Sequence, residues 1–199
     1  ARLGLDFGMR VVGYDPALSV EAAWRLPSDV QRMENMQSLF SRSDFVSLHL
    51  PVLDSTRGLI NKEMLGHFRK GSCLLNFARE EIVDTESIVA ALDAKQLRFY
   101  VSDFPNPALL GRKDALMMPH IGASTAEAEE NCAVMAASQL KAFLEHGNIR
   151  NSVNFPSIEL ERTTDCRVTI SNRNEPGMLS HILTLIGDDG LNVADLLNK

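Results

Sequence analysis

Three polar residues that could do chemistry each stand at the end of a short apolar run of the sequence: Arg79, Asp103 and His120. A guanidinium offers a rigid fork of donors for a carboxylate. An imidazole takes up and releases a proton near neutral pH, which suits a general acid or base. Each residue alone has a plainer interpretation: a solvated arginine, a turn or cap aspartate, and a structural histidine. Their shared position after apolar runs favours one common site.

The apolar runs themselves predict the strands that would position these residues. Five runs are almost continuously apolar, as expected for strands buried on both faces of a parallel sheet. They cover residues 9–14, 45–49, 72–77, 99–103 and 115–118. Helical stretches alternate with them, the clearest over 85–97, and this alternation predicts a doubly wound parallel α/β sheet. Such sheets bind ligands outside the carboxyl ends of their strands, where the three polar residues would lie.

Asp15 directly follows the first predicted strand. In dinucleotide-binding sheets an acidic residue at this place accepts hydrogen bonds from the adenosine ribose, about 20 residues beyond a glycine fingerprint. That fingerprint is not in the sequence, because Gly4 and Gly8 have the wrong spacing. The alternative interpretation is that Asp15-Pro16 only forms a turn.

The chain changes character after residue 123. Ser124 and Glu127 have the spacing of a capping box, and they predict a helix over 125–146 that Gly147 would end. Alternating residues predict a strand over 167–171, a helix is expected after Pro176, and another strand is expected from residue 191.

Four segments together resemble the signature segments of the D-isomer-specific 2-hydroxyacid dehydrogenases: residues 12–16, 47–51, 76–84 and 119–125. The resemblance implies an oxidoreductase that uses NAD and a small-molecule 2-hydroxy acid. It implies that Arg79 binds the substrate carboxylate and keto oxygen, that His120 exchanges the hydroxyl proton, and that Asp15 holds the ribose. The other residues that it places around the cofactor are His49, Leu50, Pro51, Phe77, Ala78, Asp103, Ile121, Gly122 and Ala123, together with Arg79 and His120.

The end of the chain is similar to one branch of this family, through residues 147–156, 174–177 and 190–193. That branch oxidises D-3-phosphoglycerate to 3-phosphohydroxypyruvate, the first step of serine biosynthesis, and carries an ACT domain, a small βαββαβ regulatory fold. Asn174 and Asn192 match positions where ACT domains bind an amino acid, so the resemblance implies serine as an effector and a homo-oligomer. The alternative is that Asn174 caps a helix and Asn192 turns the chain.

The resemblance also predicts the division of the chain. We expect a dinucleotide-binding domain over 1–123 that lacks its N-terminal part, a long helix returning toward the substrate domain over 124–151, a linker over 152–164, and a partial ACT domain of ferredoxin-like fold over 165–199. On this resemblance we expect the glycine loop, most of the substrate domain and the second half of the ACT domain to lie outside the sequence. We therefore expect the chain to be part of a longer enzyme, and inactive alone.

The sequence departs from the family pattern in two features. The family usually has a Glu shortly after the position of Asp103, which pairs with the catalytic histidine, but between Asp103 and His120 the only carboxylate is Asp114. Glu80 stands where a Gly is usual. If that backbone needs positive φ, Glu80 would strain it, and its charge would partly offset Arg79.

Composition excludes several functional classes. The 199 residues are 45% hydrophobic with a net charge of −6, so the chain is globular and has no electrostatic reason to bind nucleic acid or an anionic membrane. No apolar run approaches the length of a membrane span. The three widely spaced cysteines (Cys73, Cys132 and Cys166) favour a reducing cytoplasm over a disulfide framework, and they predict no metal site.

Two other functions fit the same residues. One is a different 2-hydroxyacid dehydrogenase, such as a glyoxylate or hydroxypyruvate reductase, because Arg79 and His120 do not distinguish these substrates. The other is a non-catalytic binding or regulatory protein on the same fold, which the missing Glu and the presence of Glu80 would favour. Only the ACT-like end of the chain favours the serine route.

Overall fold

The computed structural model describes residues 1–164, 166–173 and 175–199. It divides into two compact units, Ala1–His120 and Ile121–Lys199. In chain order the elements are α1 (Arg2–Asp6), β1 (Val12–Gly13), α2 (Val20–Trp24), β2 (Gln31–Arg32), α3 (Met36–Arg42), β3 (Phe45–Leu48), α4 (Lys62–Leu65), β4 (Ser72–Asn76), a 3₁₀ turn (Glu80–Ile82), α5 (Thr85–Asp93), β5 (Leu97–Ser102), β6 (Ala115–Met117), α6 (Ala126–His146) and α7 (Met178–Asp188).

The last four strands form one parallel sheet in the order β3-β4-β5-β6. Its register aligns Leu48 with Asn76, Asn76 with Ser102, and Ser102 with Met117. All four strands therefore end at the same edge, and the predicted parallel α/β fold is confirmed. β1 pairs with β2 in a separate two-stranded parallel sheet. The sequence did not predict β2, because its two exposed polar residues form no apolar run.

The core of the first unit lies around β4 and β5. Leu74 at the centre of β4 is fully buried, as are Ile88 and Leu92 on α5. Ile88 and Leu92 lie one helical turn apart and therefore share one face of α5, a helix that packs against β5. Burying a side chain of this size stabilises the fold by about 1.5–3 kcal/mol. The core thereby holds in place the strands that carry the site.

The boundary between α5 and β5 differs from the sequence prediction. A helix was expected over 85–97, but α5 ends at Asp93 and Leu97 already begins β5. Lys95 has a φ of 57°, in the left-handed region, and reverses the chain between the two elements. Leu97 is buried, and a buried leucine fits a helical and a strand pattern equally well, so the pattern alone gave the wrong boundary.

An ion-pair cluster closes the amino edge of the sheet, opposite the strand ends. Arg112 donates to both carboxylate oxygens of Asp114, over 2.9 and 3.1 Å, and to Asp93 over 2.7 Å. Lys95 lies 3.6 Å from Asp114. Hydrogen bonding from Arg112 lowers the pKa of Asp114 below its ordinary value. The cluster ties the start of β6 to the turn between α5 and β5.

The described residues of the second unit form two helices, α6 and α7. α6 begins after Thr125, whose hydroxyl accepts the Ala128 N–H, so the cap is Thr125 and not the expected Ser124. Gly147 ends α6 with a φ of 63°, as predicted. No helix among residues 1–164, 166–173 and 175–199 is both long and apolar enough to cross a membrane.

The two strands expected in the second unit are not formed. Residues 167–171 and 191–194, all of them described, contain no strand. A strand needs a hydrogen-bonded neighbour, and alternation of side chains does not supply one. The predicted helix after Pro176 is confirmed, as α7. The predicted ACT domain thus keeps its helix without its strands, and the domain boundaries stay predictions.

We predict that Leu74→Ala destabilises the protein by about 2–5 kcal/mol, because it leaves a cavity in the central strand. Leu116→Ala in β6 is the matched control. Its side chain is 54% exposed, and its loss should cost less than about 1 kcal/mol. Urea unfolding of both variants measures the difference, and equal losses would contradict the described core.

We predict that Asp114→Asn lowers stability most at neutral pH. Because the pKa of Asp114 is lowered in the folded protein, its ionised carboxylate stabilises the fold at pH values above the ordinary pKa of 3.8. That stabilisation is lost as pH falls through the lower pKa of the folded state. Urea unfolding at several pH values should therefore show the wild-type and variant curves converging below about pH 4. Arg112→Gln should have the same effect, and parallel curves would contradict this account.

Candidate functional site

The predicted site residues lie after four neighbouring strand ends. His49 follows β3, Arg79 comes three residues after β4, Asp103 directly follows β5, and His120 comes three residues after β6. Because these strands are parallel, all four residues lie at the carboxyl edge of one sheet. The sequence prediction that Arg79 and His120 occupy the same edge is confirmed.

The turn that carries Arg79 is fixed by Asn76, the last residue of β4. The buried amide of Asn76 accepts the Ala78 N–H over 3.2 Å and donates to the Arg79 carbonyl over 2.9 Å. Each of these bonds satisfies a backbone group near the turn. The Arg79 side chain itself is exposed and donates to the Ala78 carbonyl over 2.7 Å. Among the described residues its guanidinium makes no ion pair, so it can receive an anion.

A layer of buried polar side chains supports this edge from below. Tyr100, Ser102 and Asn76 are all buried, and the side chains of Ser102 and Asn76 lie beside the Tyr100 hydroxyl. Burial raises the pKa of Tyr100 above its ordinary value, which keeps the hydroxyl protonated and able to donate. Ser102 also accepts the N–H of Phe104 over 3.1 Å. The layer therefore connects the Arg79 turn to the segment after β5.

Asp103 and His120 meet directly. Nδ1 of His120 lies 2.8 Å from Oδ2 of Asp103. The Asp103 side chain is 15% exposed and the His120 side chain 52%, so the pair has one buried and one accessible end. The ring of Phe104 stacks on the imidazole, with centroids 4.8 Å apart and planes inclined by 29°. The imidazole is thus held by one polar and one apolar contact.

Glu80 does not strain the backbone, contrary to the expectation from the sequence. It begins a 3₁₀ turn and does not have a positive φ. Its carboxylate accepts a hydrogen bond from the Asn106 amide over 3.3 Å. Glu80 therefore joins the turn after β4 to the loop after β5.

The residues predicted to bind NAD lie at strand ends of the first unit, except for the last three. Asp15 is exposed after β1, and one of its carboxylate oxygens accepts the Ala17 N–H over 2.9 Å. Within the described chain the other oxygen has no hydrogen-bond partner, so it fits an acceptor for ribose hydroxyls. Leu50 is partly buried and Pro51 exposed after β3, where the Ser47 hydroxyl lies 2.9 Å from His49 Nε2.

The remaining residues predicted to contact NAD lie partly in the first unit and partly in the second. Phe77 is exposed and Ala78 buried in the turn after β4. Ile121, Gly122 and Ala123 are exposed at the start of the second unit. Their contact with NAD stays a prediction.

The structure describes one of the two predicted effector residues. Asn174 lies outside the described residues, and Asn192 is exposed in a segment without secondary structure. A cavity of about 400 Å³ beside the start of α7 is lined in part by Asn172, Glu175 and Asn198, but not by Asn192. Serine binding therefore stays a prediction. The described residues contain no cluster of His, Cys, Asp or Glu that could hold a metal ion.

Sequence reasoning missed three residues that shape the site: Asn76, Phe104 and Asn106. Asn76 is the first residue of the segment 76–84, but nothing in the sequence showed that its amide would hold the turn. Phe104 is adjacent to Asp103 in the sequence, but its stacking on the imidazole is recognisable only when the position of His120 is known. Asn106 is recognisable only through its contact with Glu80.

Residues 1–122 match the family described as "D-isomer specific 2-hydroxyacid dehydrogenase, NAD binding domain". The chain belongs to this family. The matched domain binds NAD, and NAD is the cofactor.

Named relatives extend the similarity beyond that domain. The chain is 32% identical over 202 residues to the D-3-phosphoglycerate dehydrogenase of Haemophilus influenzae, covering 95% of this chain and 48% of that protein. It is 31% identical over 203 residues to the enzyme of the same name from Escherichia coli, covering 96% and 48%. The chain therefore spans about half the length of the curated relatives that it matches.

Solved structures support the same fold. A glyoxylate reductase from Paecilomyes thermophila matches with a TM-score of 0.66 and 26% identity, over 77% of this chain and 47% of that one. The D-mandelate dehydrogenase of Rhodotorula graminis matches with a TM-score of 0.63 and 25% identity, over 71% and 43%. The similarity thus includes enzymes named for different substrates, glyoxylate and D-mandelate.

We predict that Asn76→Ala destabilises the complete protein and weakens substrate binding. The Ala78 N–H and the Arg79 carbonyl would lose their partner, at a cost of about 1–3 kcal/mol for each group left unsatisfied. Thermal unfolding and the substrate KM measure the two effects. Asn154→Ala, in an exposed turn, is the control and should change stability by less than about 0.5 kcal/mol. An unchanged KM for Asn76→Ala would show that the Asn76 amide does not determine the position of Arg79.

Proposed function

We propose that the protein oxidises D-3-phosphoglycerate to 3-phosphohydroxypyruvate with NAD, the first step of serine biosynthesis. The observation that carries a dehydrogenase function is the close contact between His120 and Asp103, with Nδ1 2.8 Å from Oδ2, at the edge where Arg79 also lies. The choice of substrate is supported by relatives that bear that name across about 95% of the chain. It is also supported by the sequence of the chain after residue 147.

Arg79 is the anchor for the substrate. Its exposed guanidinium would bind the carboxylate through two parallel N–H donors and keep one more for the oxygen at the reacting carbon. Asn76 contributes by holding the turn from which Arg79 projects. The substrate would thereby be fixed with its hydroxyl directed toward the imidazole of His120.

His120 is the general base of the oxidation. Nδ1 faces Asp103, and Nε2 remains to accept the proton of the substrate hydroxyl. The chemistry that bound NAD supplies is acceptance of a hydride from the substrate carbon. The C–H and O–H bonds of the alcohol are broken and a C=O bond forms. In the reverse direction His120 returns the proton to the oxygen.

Asp15 and the strand-end segments are proposed to hold the cofactor. Asp15 has a carboxylate oxygen available for the ribose hydroxyls. Leu50, Pro51, Phe77 and Ala78 lie after β3 and β4, where the nicotinamide end would reach the catalytic pair. Within such a site the protein supplies binding and orientation.

A reductase for glyoxylate or hydroxypyruvate is the second candidate, favoured by the similarity to a glyoxylate reductase. Arg79 and His120 would act in the same way, since both substrates carry a carboxylate beside a carbonyl. Assays of the complete protein with 3-phosphohydroxypyruvate, hydroxypyruvate and glyoxylate, each with NADH, distinguish the two. The highest kcat/KM is expected for the phosphorylated substrate.

We predict that His120→Ala lowers kcat by about 10²- to 10⁴-fold, because the general base is lost, while the Kd for NADH changes little. Arg79→Lys should raise KM and lower kcat, because an ammonium group cannot reproduce the guanidinium fork. NADH absorbance follows turnover, and NADH fluorescence measures binding. His67→Ala and Arg42→Lys are controls outside the strand ends. Near-normal activity of both site variants would refute the catalytic roles, and a wild type inactive on every substrate would favour a non-catalytic protein.

A further inference from the structure

We infer that Asp103 is the positioning residue for His120 and takes the part that a glutamate usually plays in this family. The inference rests on the proposed function of His120 as a base. The sequence between Asp103 and His120 contains no Glu. The structure places the carboxylate at the end of β5 itself, with Oδ2 at 2.8 Å from His120 Nδ1.

The other carboxylates near this part of the chain are held elsewhere. Asp114 lies at the amino edge of the sheet, where both of its oxygens accept from Arg112. Glu80 lies at the correct edge, but its described hydrogen bond is to Asn106. Of the carboxylates in the described chain, Asp103 is the one within ion-pair distance of His120.

The geometry determines which imidazole nitrogen carries the proton. An ionised carboxylate can only accept hydrogen bonds, so a carboxylate oxygen 2.8 Å from Nδ1 favours the proton of the ring on that nitrogen. In the neutral imidazole this leaves Nε2 as the unprotonated nitrogen. Asp103 therefore selects the tautomer in which the accessible nitrogen is a base.

Asp103 depends on this contact as much as His120 does. Oδ1 of Asp103 is buried and has no hydrogen-bond partner among the described residues. A buried carboxylate with an unsatisfied oxygen favours any donor available to it. The described ion-pair partner of this side chain is His120, so the aspartate and the ring hold each other.

Phe104 fixes the remaining freedom of the ring. The contact with Asp103 by itself leaves the imidazole free to rotate about the Nδ1–carboxylate direction. Stacking of Phe104, at 4.8 Å and 29°, restricts that rotation. The backbone of Phe104 is in turn fixed by its N–H bond to Ser102. One short segment, residues 102–104, thus orients the base through both a carboxylate and a ring.

The test compares Asp103→Asn with Asp103→Glu and Asp114→Asn in the complete protein. Asp103→Asn has the same shape, but its amide can present an NH₂ group that favours the opposite tautomer. We expect kcat to fall by roughly 10²-fold or more while the substrate KM changes by less than about threefold. Asp103→Glu keeps a carboxylate and should recover part of the lost kcat. Asp114→Asn should keep the wild-type kcat.

The second readout does not need activity. Protein labelled with ¹⁵N-histidine, with His120→Ala used to assign the signal, reports which nitrogen of His120 is protonated. Wild type and Asp114→Asn should show the Nδ1–H tautomer, and Asp103→Asn should lose it. A wild-type tautomer in Asp103→Asn, or an unchanged kcat, would overturn the inference. A tautomer change in an enzyme without dehydrogenase activity would uphold the positioning role and refute the proposed function instead.

Discussion

Parallel hydrogen bonding between β3, β4, β5 and β6 is the constraint on which the rest of the structure depends. The strands follow one another in sequence order, and each starts again from the amino edge after a crossover. Residues that are far apart in the sequence, such as His49, Arg79 and His120, therefore meet at one edge. No local interaction among them is needed to bring them there. The edge becomes a site because the residues after the strands are polar while the strands are apolar.

Polar groups buried beneath that edge make its geometry specific. Asn76, Tyr100 and Ser102 occupy buried positions in the sheet. Burying such groups is unfavourable unless their hydrogen bonds are made. The bonds that they make are to the Arg79 turn and to the N–H of Phe104. The requirement for satisfied hydrogen bonds thus fixes the backbone that presents Arg79, Asp103 and the stacking ring.

The direction of the chain gives two aspartates opposite roles. Asp103 follows β5 and lies at the carboxyl edge, where it contacts His120. Asp114 precedes β6 and lies at the amino edge, where Arg112 and Lys95 neutralise it. Both are carboxylates of the same connection between β5 and β6. One orients a base and the other stabilises the fold, because the connection crosses the sheet from one edge to the other.

The sequence by itself determined the strands β3 to β6 and the polar residues after them, because apolar runs and their ends are local features. It also determined the cap of α6 to within one residue. Only the tertiary structure decided that Asp103 is the partner of His120, that α5 ends at Asp93, that β2 pairs with β1, and that residues 167–171 form no strand. Each of these depends on which groups lie beside one another across the sheet. Lateral neighbours are set by strand order and register, and the pattern of a single chain segment does not contain that information.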